Sequence, residues 1–197
     1  MTTPAENLRQ GVRRAYSAVA DTPQGEHPFP VGRQFAESLG YSPQLLADLP
    51  AEAVEAFAGV SNVAVFADLP AGATVLDLGC GAGLDSLIAA GRVGPTGRVI
   101  GVDFSQSMLT RARQAAAETG YQNIEFHQTE AEKLFLEDAS IDVALVNGIF
   151  NLNPARQSIF RELARVVRPG GMVYGAEIIL RQPLPPEEQT SESNWFA

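Results

Sequence analysis

Cysteine is nearly absent. Cys80 stands alone in a chain of 197 residues, which excludes an internal disulfide and a cysteine-rich zinc site. Only two histidines are present, His27 and His127, and their separation along the chain offers no dedicated transition-metal site. Cationic residues are outnumbered, 14 Lys and Arg against 23 Asp and Glu, for a net charge of −9. That balance repels phosphate backbones and anionic lipid surfaces, and so argues against nucleic acid or a membrane as partner. No apolar run approaches the roughly 18 residues of a membrane span. The opening residues, Met1 to Glu6, lack the basic-then-apolar layout of an export signal, so the cytoplasm is the expected compartment. What is present is 45% apolar residues over a length that suits one ordinary domain with a real core.

The first third of the chain carries no strong strand signal. Leu8, Val12, Ala15, Tyr16 and Val19 recur at helical spacing between Glu6 and Ala20. Ser42-Pro43 suits the start of a short helix, with Ser as N-cap and Pro at the first helical position. Pro50 to Ala58 reads as another helix, and the proline-rich stretch Asp21 to Pro30 as a loop. Residues 1–72 are therefore expected to form a helical cap.

From Ala73 the pattern changes to strands alternating with helices. Strands are expected at 74–78, 98–102, 124–127, 141–146 and 172–179, and helices at 84–90, 105–119 and 154–167. Ser105 supplies an N-cap to the second helix, and Gly120 a C-terminal stop. Such alternation means βαβ units and a mainly parallel sheet. The expected fold is thus α/β and Rossmann-like over residues 73–181, with about five strands, helices on both faces, and an irregular tail over 182–197.

The chemistry concentrates at Asp77-Leu78-Gly79-Cys80-Gly81-Ala82-Gly83, where the first strand meets the first helix. Glycines there let the backbone turn sharply and approach a ligand where a Cβ would collide. The amides that open the helix present partial positive charge to that ligand. Asp103 follows about 20 residues on, at the end of the second strand, where a carboxylate can accept hydrogen bonds from both hydroxyls of a ribose. Together these predict a ligand bearing adenosine. A nicotinamide or flavin site wants Gly or Ala at the sixth position of the glycine motif, and here that residue is Leu84. Asp77, two residues before the first glycine, disfavours a pyrophosphate but suits an ammonium or sulfonium group.

The spacing Asp-x-Gly-x-Gly-x-Gly resembles the first motif of class I S-adenosylmethionine-dependent methyltransferases. Val99 to Ser105 is similar to their second motif, and Arg168-Pro169-Gly170-Gly171 to the turn before their fifth strand. The resemblance implies a strand order of 3-2-1-4-5, S-adenosyl-L-methionine as cofactor and methyl transfer to a small-molecule acceptor. It assigns Gly79, Gly81 and Gly83, with Cys80 among them, to the methionine part, and Asp77 to its amino group. Asp103 would hold the ribose, with Phe104 and Met108 against the adenine. Glu130 and the Ala131 amide would read the adenine edge, and Asn147 would floor the site beneath the methyl group.

Finer features narrow the resemblance. Ala82-Gly83-Leu84-Asp85, the run Gly91 to Asp103, and Val146 to Pro154 look like the arsenite methyltransferase branch. The segments Val12 to Tyr16 and Tyr41 to Pro50 fit the same branch, which implies that Tyr16 closes over the cofactor. Two departures stand out. The cysteine thiolates that a soft arsenic ion requires are missing, so an acceptor other than arsenite is expected. The sequence also stops near where relatives continue into a substrate-binding segment. That leaves open a relative that binds cofactor without turnover, or a homodimer in which another chain covers the exposed sheet edge. No catalytic base is assigned: His127 reads as a residue at a strand end and His27 as part of a loop.

Overall fold

The computed structural model describes residues 4–182 of the chain. Five helices come first: α1 (Pro4–Asp21), α2 (Arg33–Ser38), α3 (Pro43–Ala47), α4 (Ala51–Val54) and α5 (Val63–Phe66). The alternating part follows as β1 (Thr74–Leu78), α6 (Leu84–Val93), β2 (Arg98–Asp103), α7 (Gln106–Thr119), β3 (Ile124–Gln128), β4 (Ile141–Asn147), α8 (Arg156–Val166) and β5 (Val167–Ala176). All four strand pairings are parallel, and the sheet order is β3-β2-β1-β4-β5 as the resemblance implied. No helix among the described residues is long and apolar enough to cross a membrane.

Alternation along each strand assigns the two faces. Val75, Val99, Val143 and Leu145 point to one side and pack with Leu87, Ala89 and Val93 of α6 and with the helices that precede β1. Leu76, Leu78, Ile100, Val102, Ala144 and Val146 point to the other and pack against Ile159, Leu163 and Val166 of α8. A sheet covered on both faces needs strands that are apolar at nearly every position, which β1 and β4 supply. Each fully buried Leu or Ile contributes about 1.5–3 kcal/mol relative to exposure.

Local signals explain most boundaries. The Ser42 hydroxyl accepts from the Leu45 N–H at 3.2 Å and starts α3. The Ser105 hydroxyl does the same for Met108 at 3.3 Å and starts α7, which Gly120 ends in the left-handed region. Two short helices, α2 and α5, escape the sequence pattern because four to six residues are too few to show a period. The last strand differs from expectation: it begins at Val167 rather than Met172 and ends at Ala176 rather than Ile179. Val167 pairs with Ile141 and Met172 with Val143, so Arg168 to Gly171 form a bulge within the strand rather than a turn before it. Asp142 pins that bulge, accepting from Arg168 Nε at 2.5 Å and from the Thr74 N–H of the neighbouring strand at 2.7 Å. Of the tail expected to be irregular, residues 183–197 lie outside the described residues.

The strand order reverses between β1 and β4. In open parallel sheets the crevice at the carboxyl ends of such strands is where ligands bind. That crevice positions everything that follows.

Candidate active site

A cleft open to solvent lies over the carboxyl ends of β1, β2 and β4. Eleven of the twelve residues that the sequence reading singled out line it: Tyr16, Asp77, Gly79, Cys80, Gly81, Asp103, Phe104, Met108, Glu130, Ala131 and Asn147. Gly83 does not. It opens α6 at φ +89°, and a Cβ there would press on Ala112 at 3.1 Å and Phe126 at 3.2 Å, so its role is close packing of α6 against α7 and β3. Neither histidine reaches the cleft. The His27 ring is hydrogen-bonded to the Thr22 carbonyl, and His127 lies 3.2 Å from Glu125 beside the Phe135 ring.

The glycine turn is built on positive backbone angles. Gly79 sits at φ +78° and Gly81 at φ +51°, and a Cβ at Gly81 would meet no atom within 4 Å. The chain there is bare toward the cleft. Asp103 ends β2 and is anchored from both sides: its carboxylate accepts from the Gly81 N–H at 2.9 Å and the Ser105 N–H at 2.8 Å. Burial lifts its carboxyl to about 6, while those two amides act against the shift. One acid thus ties the glycine turn to the start of α7.

Two more acids are buried beneath. Asp77, 2% exposed, accepts from the Ser86 hydroxyl at 2.5 Å. Burial, with the charge of Asp85 adding to it, pushes its carboxyl up to about 8. Asp85 lines the cleft, although nothing in the sequence beyond its branch-like neighbours marked it. It accepts from the Tyr41 hydroxyl at 2.6 Å, the Ala64 N–H at 3.3 Å and the Asn147 amide at 2.8 Å. Burial raises Asp85 as well, against those three donors. Three sunken carboxylates make the floor hostile to a phosphate chain and suited to a cationic group.

Asn147, expected to floor the site, lines the cleft and also braces it. Its carboxamide oxygen accepts from the Val60 N–H at 2.8 Å and the Ser61 N–H at 3.1 Å, and its nitrogen donates to the Ser61 carbonyl at 2.7 Å. The loop after Phe57 is thereby fastened to the end of β4. The fit is tight, because a Cβ at Gly59 would come within 2.6 Å of the Asn147 nitrogen.

Helix α1 lies across the other end. Arg13 bonds Glu130 and its guanidinium sits 5.5 Å from the Phe104 ring centroid, while Arg9 bonds Glu132. Tyr16 stands edge-on to Phe104 at 6.5 Å and near Phe29 at 4.9 Å. Burial, then the charges of Asp103 and Glu177, hold the Tyr16 hydroxyl firmly protonated. Burial likewise raises the Cys80 thiol, helped by Asp103 and Asp77, so it is no nucleophile. Sequence reasoning missed Arg9 and Arg13 because helical spacing says which residues share a face but not what they meet.

A parallel 3-2-1-4-5 sheet, with a glycine turn on its first strand and an acid ending its second, defines a Rossmann-like class of nucleotide- and nucleoside-binding enzymes. Within that class the chain belongs to the methyltransferase domain family, which matches residues 69–196. It is 39% identical over 154 residues to an arsenite methyltransferase of Halobacterium salinarum, covering 78% of this chain and 39% of the relative. A demethylmenaquinone methyltransferase of Lactococcus lactis is 39% identical over 106 residues, covering 54% of this chain and 42% of that relative. An arsenic(III) S-adenosylmethionine methyltransferase from Chlamydomonas reinhardtii superposes with a TM-score of 0.69 at 33% identity, over 78% of this chain and 56% of that one. The chain spans about two fifths of the length of the curated relatives it matches.

Proposed function

We propose that this chain binds S-adenosyl-L-methionine and transfers its methyl group to a small-molecule acceptor. One observation carries the reading: Asp103, fixed by the Gly81 and Ser105 amides, stands beside a bare glycine turn over a floor of buried acids. A ribose needs the acid at that strand end, a methionine chain needs the room over Gly81, and an ammonium or sulfonium group would pair with the buried acids of the floor and favour their charged forms. The residues present fit the cofactor.

In this reading residues 1–72 act as a cap and 73–181 as the cofactor-binding domain. Asp103 holds the ribose, Phe104 and Met108 flank the adenine, and Glu130 with the Ala131 amide reads its edge once Arg13 yields. Asp77 faces the amino group, and Tyr16 closes the cleft from α1. The cofactor, when bound, supplies an activated methyl on a sulfonium. The protein's part is to exclude water and to aim the nucleophile along the line of displacement. Gly59, Ile149, Leu152 and Asn153 also line the cleft, and the acceptor would enter beside them. None of them is a base, which suits an acceptor already nucleophilic at neutral pH. Cys80 is the sole thiol in the sequence and is buried, so these residues provide no thiolate set for arsenic. Among the described residues β5 is the outer strand of the sheet, and a homodimer covering that edge and a cytoplasmic location are part of this proposal.

The test is turnover. The chain is incubated with methyl-labelled S-adenosylmethionine and a panel of thiol, amine, hydroxyl and metalloid acceptors. Label in an acceptor, with S-adenosylhomocysteine released, supports the reading. Cofactor binding with no transfer to any acceptor would demote the chain to a binding module.

A further inference from the structure

Glu177, the residue after β5, is absent from the sequence motifs and does not itself line the cleft. Its side chain turns back toward the loop that follows β4. One carboxylate oxygen accepts from two successive backbone amides, Phe150 N–H at 2.7 Å and Asn151 N–H at 3.2 Å. The other accepts from the Ile178 N–H at 3.2 Å. Gly148, at φ +78°, begins the turn and donates its N–H to the Ala176 carbonyl at 2.9 Å, and the Asn151 side chain bonds the Ile178 carbonyl. Loop and strand end are stitched at both margins, and Glu177 provides the stitch in the middle.

The residue held there matters. Ile149 lies against the first glycine of the glycine turn: a Cβ on Gly79 would sit 2.5 Å from Ile149 Cγ2. Ile149 and Leu152 both line the cleft. Move the loop by an ångström and that part of the cleft wall moves with it.

We infer that Glu177 is a positioning residue: its carboxylate fixes the 148–151 loop so that Ile149 presses on Gly79 and sets the wall where acceptor meets cofactor. Charge-assisted bonds from two amides to one oxygen are among the stronger hydrogen bonds a loop can make. The two loop amides need an acceptor atom, which a glutamine carbonyl supplies, but its NH2 then faces the Ile178 N–H and the charge assistance is lost, so glutamine should serve in part. A role resting on negative charge would not survive that change. What the wall does for methyl transfer rests on the function proposed above; the bracket itself does not.

The experiment compares the full chain with Glu177→Ala and Glu177→Gln by amide hydrogen exchange and by calorimetric titration with S-adenosylhomocysteine. Glu177→Ala is expected to speed exchange at Phe150 and Asn151 by about tenfold or more, the loss of roughly one good hydrogen bond each. It is also expected to weaken S-adenosylhomocysteine by about five- to tenfold. Glu177→Gln, which keeps the carbonyl for the two loop amides, is expected to fall between wild type and Glu177→Ala on both readouts. Unchanged exchange in Glu177→Ala, or equal damage in Glu177→Gln, overturns the inference. Should the alanine variant not fold, Glu177→Asp, which withdraws the carboxylate by one methylene, is expected to accelerate the same two amides, and no acceleration overturns it. If wild type fails to bind S-adenosylhomocysteine, the methyl-transfer reading falls, while the exchange comparison still decides the bracket.

Discussion

Where β1 and β2 end, the cleft is held by backbone: glycines at positive φ, and the Gly81 and Ser105 amides closing on Asp103. Where β4 and β5 end, it is held by side chains reaching far along the sequence. Asn147 grips residues 60 and 61, Asp85 grips Tyr41 and Asn147, and Glu177 grips residues 150 and 151. The first wall is a local device that one stretch of sequence specifies. The second is assembled from five separate segments, and such a wall can be re-cut for a new acceptor while the backbone of the first stays in place. The difference suggests how one cofactor site serves many chemistries.

The largest expected effect breaks the second wall. Asp85→Ala strands the Asn147 amide and the Ala64 N–H and is expected to cost about 3–4 kcal/mol of stability, measured by urea unfolding. A cost below about 1 kcal/mol would mean that backbone holds this wall too. Next comes Gly79→Ala, which strikes where the walls touch. Strain at φ +78° and the clash with Ile149 are expected to cost about 2–3 kcal/mol together and to weaken cofactor binding.

The buried acids between the walls give a pH signature. Asp77 is held at about 8, against about 4 for an exposed aspartate. Between those values the folded chain keeps a proton that the unfolded chain has released, so stability falls as pH rises through that window. Asp103, at about 6, adds to the fall in its lower half. Melting of the ligand-free chain is expected to be highest near the acidic end of that window. Asp77→Asn should flatten the profile by up to about 5 kcal/mol. A profile equally steep in Asp77→Asn would move the source elsewhere. The smallest effect belongs to α1. Both partners of the Arg13–Glu130 pair are about half exposed, so Arg13→Ala is expected to change stability by less than about 1 kcal/mol. It should, however, remove part of any salt dependence in the rate of cofactor association.

The same contrast explains what the sequence disclosed. The strands, the glycine turn and Asp103 are legible because periodicity, glycines and caps act over a few residues, whereas the strand order followed from the family resemblance. Gly83 carries the same motif yet faces Ala112 and Phe126, since spacing does not say toward which side a glycine is bare. Asp85, Tyr41 and Glu177 were illegible because the partners that fix them lie 20 to 62 residues away, and only the folded chain brings them together. The β5 start was missed for a similar reason: Arg168-Pro169-Gly170-Gly171 has turn chemistry, but Asp142 holds it in the sheet as a bulge.

The central claim is that Asp103 and the glycine turn form a site for S-adenosylmethionine. Calorimetric titration of S-adenosylhomocysteine and of NAD into wild type and Asp103→Ala tests it most directly. The expected result is stoichiometric S-adenosylhomocysteine binding to wild type, at least about 30-fold weaker binding to Asp103→Ala, the cost of about 2 kcal/mol for losing a charged hydrogen-bond partner, and no heat with NAD. No S-adenosylhomocysteine binding to wild type, or equal binding to the variant, would contradict it.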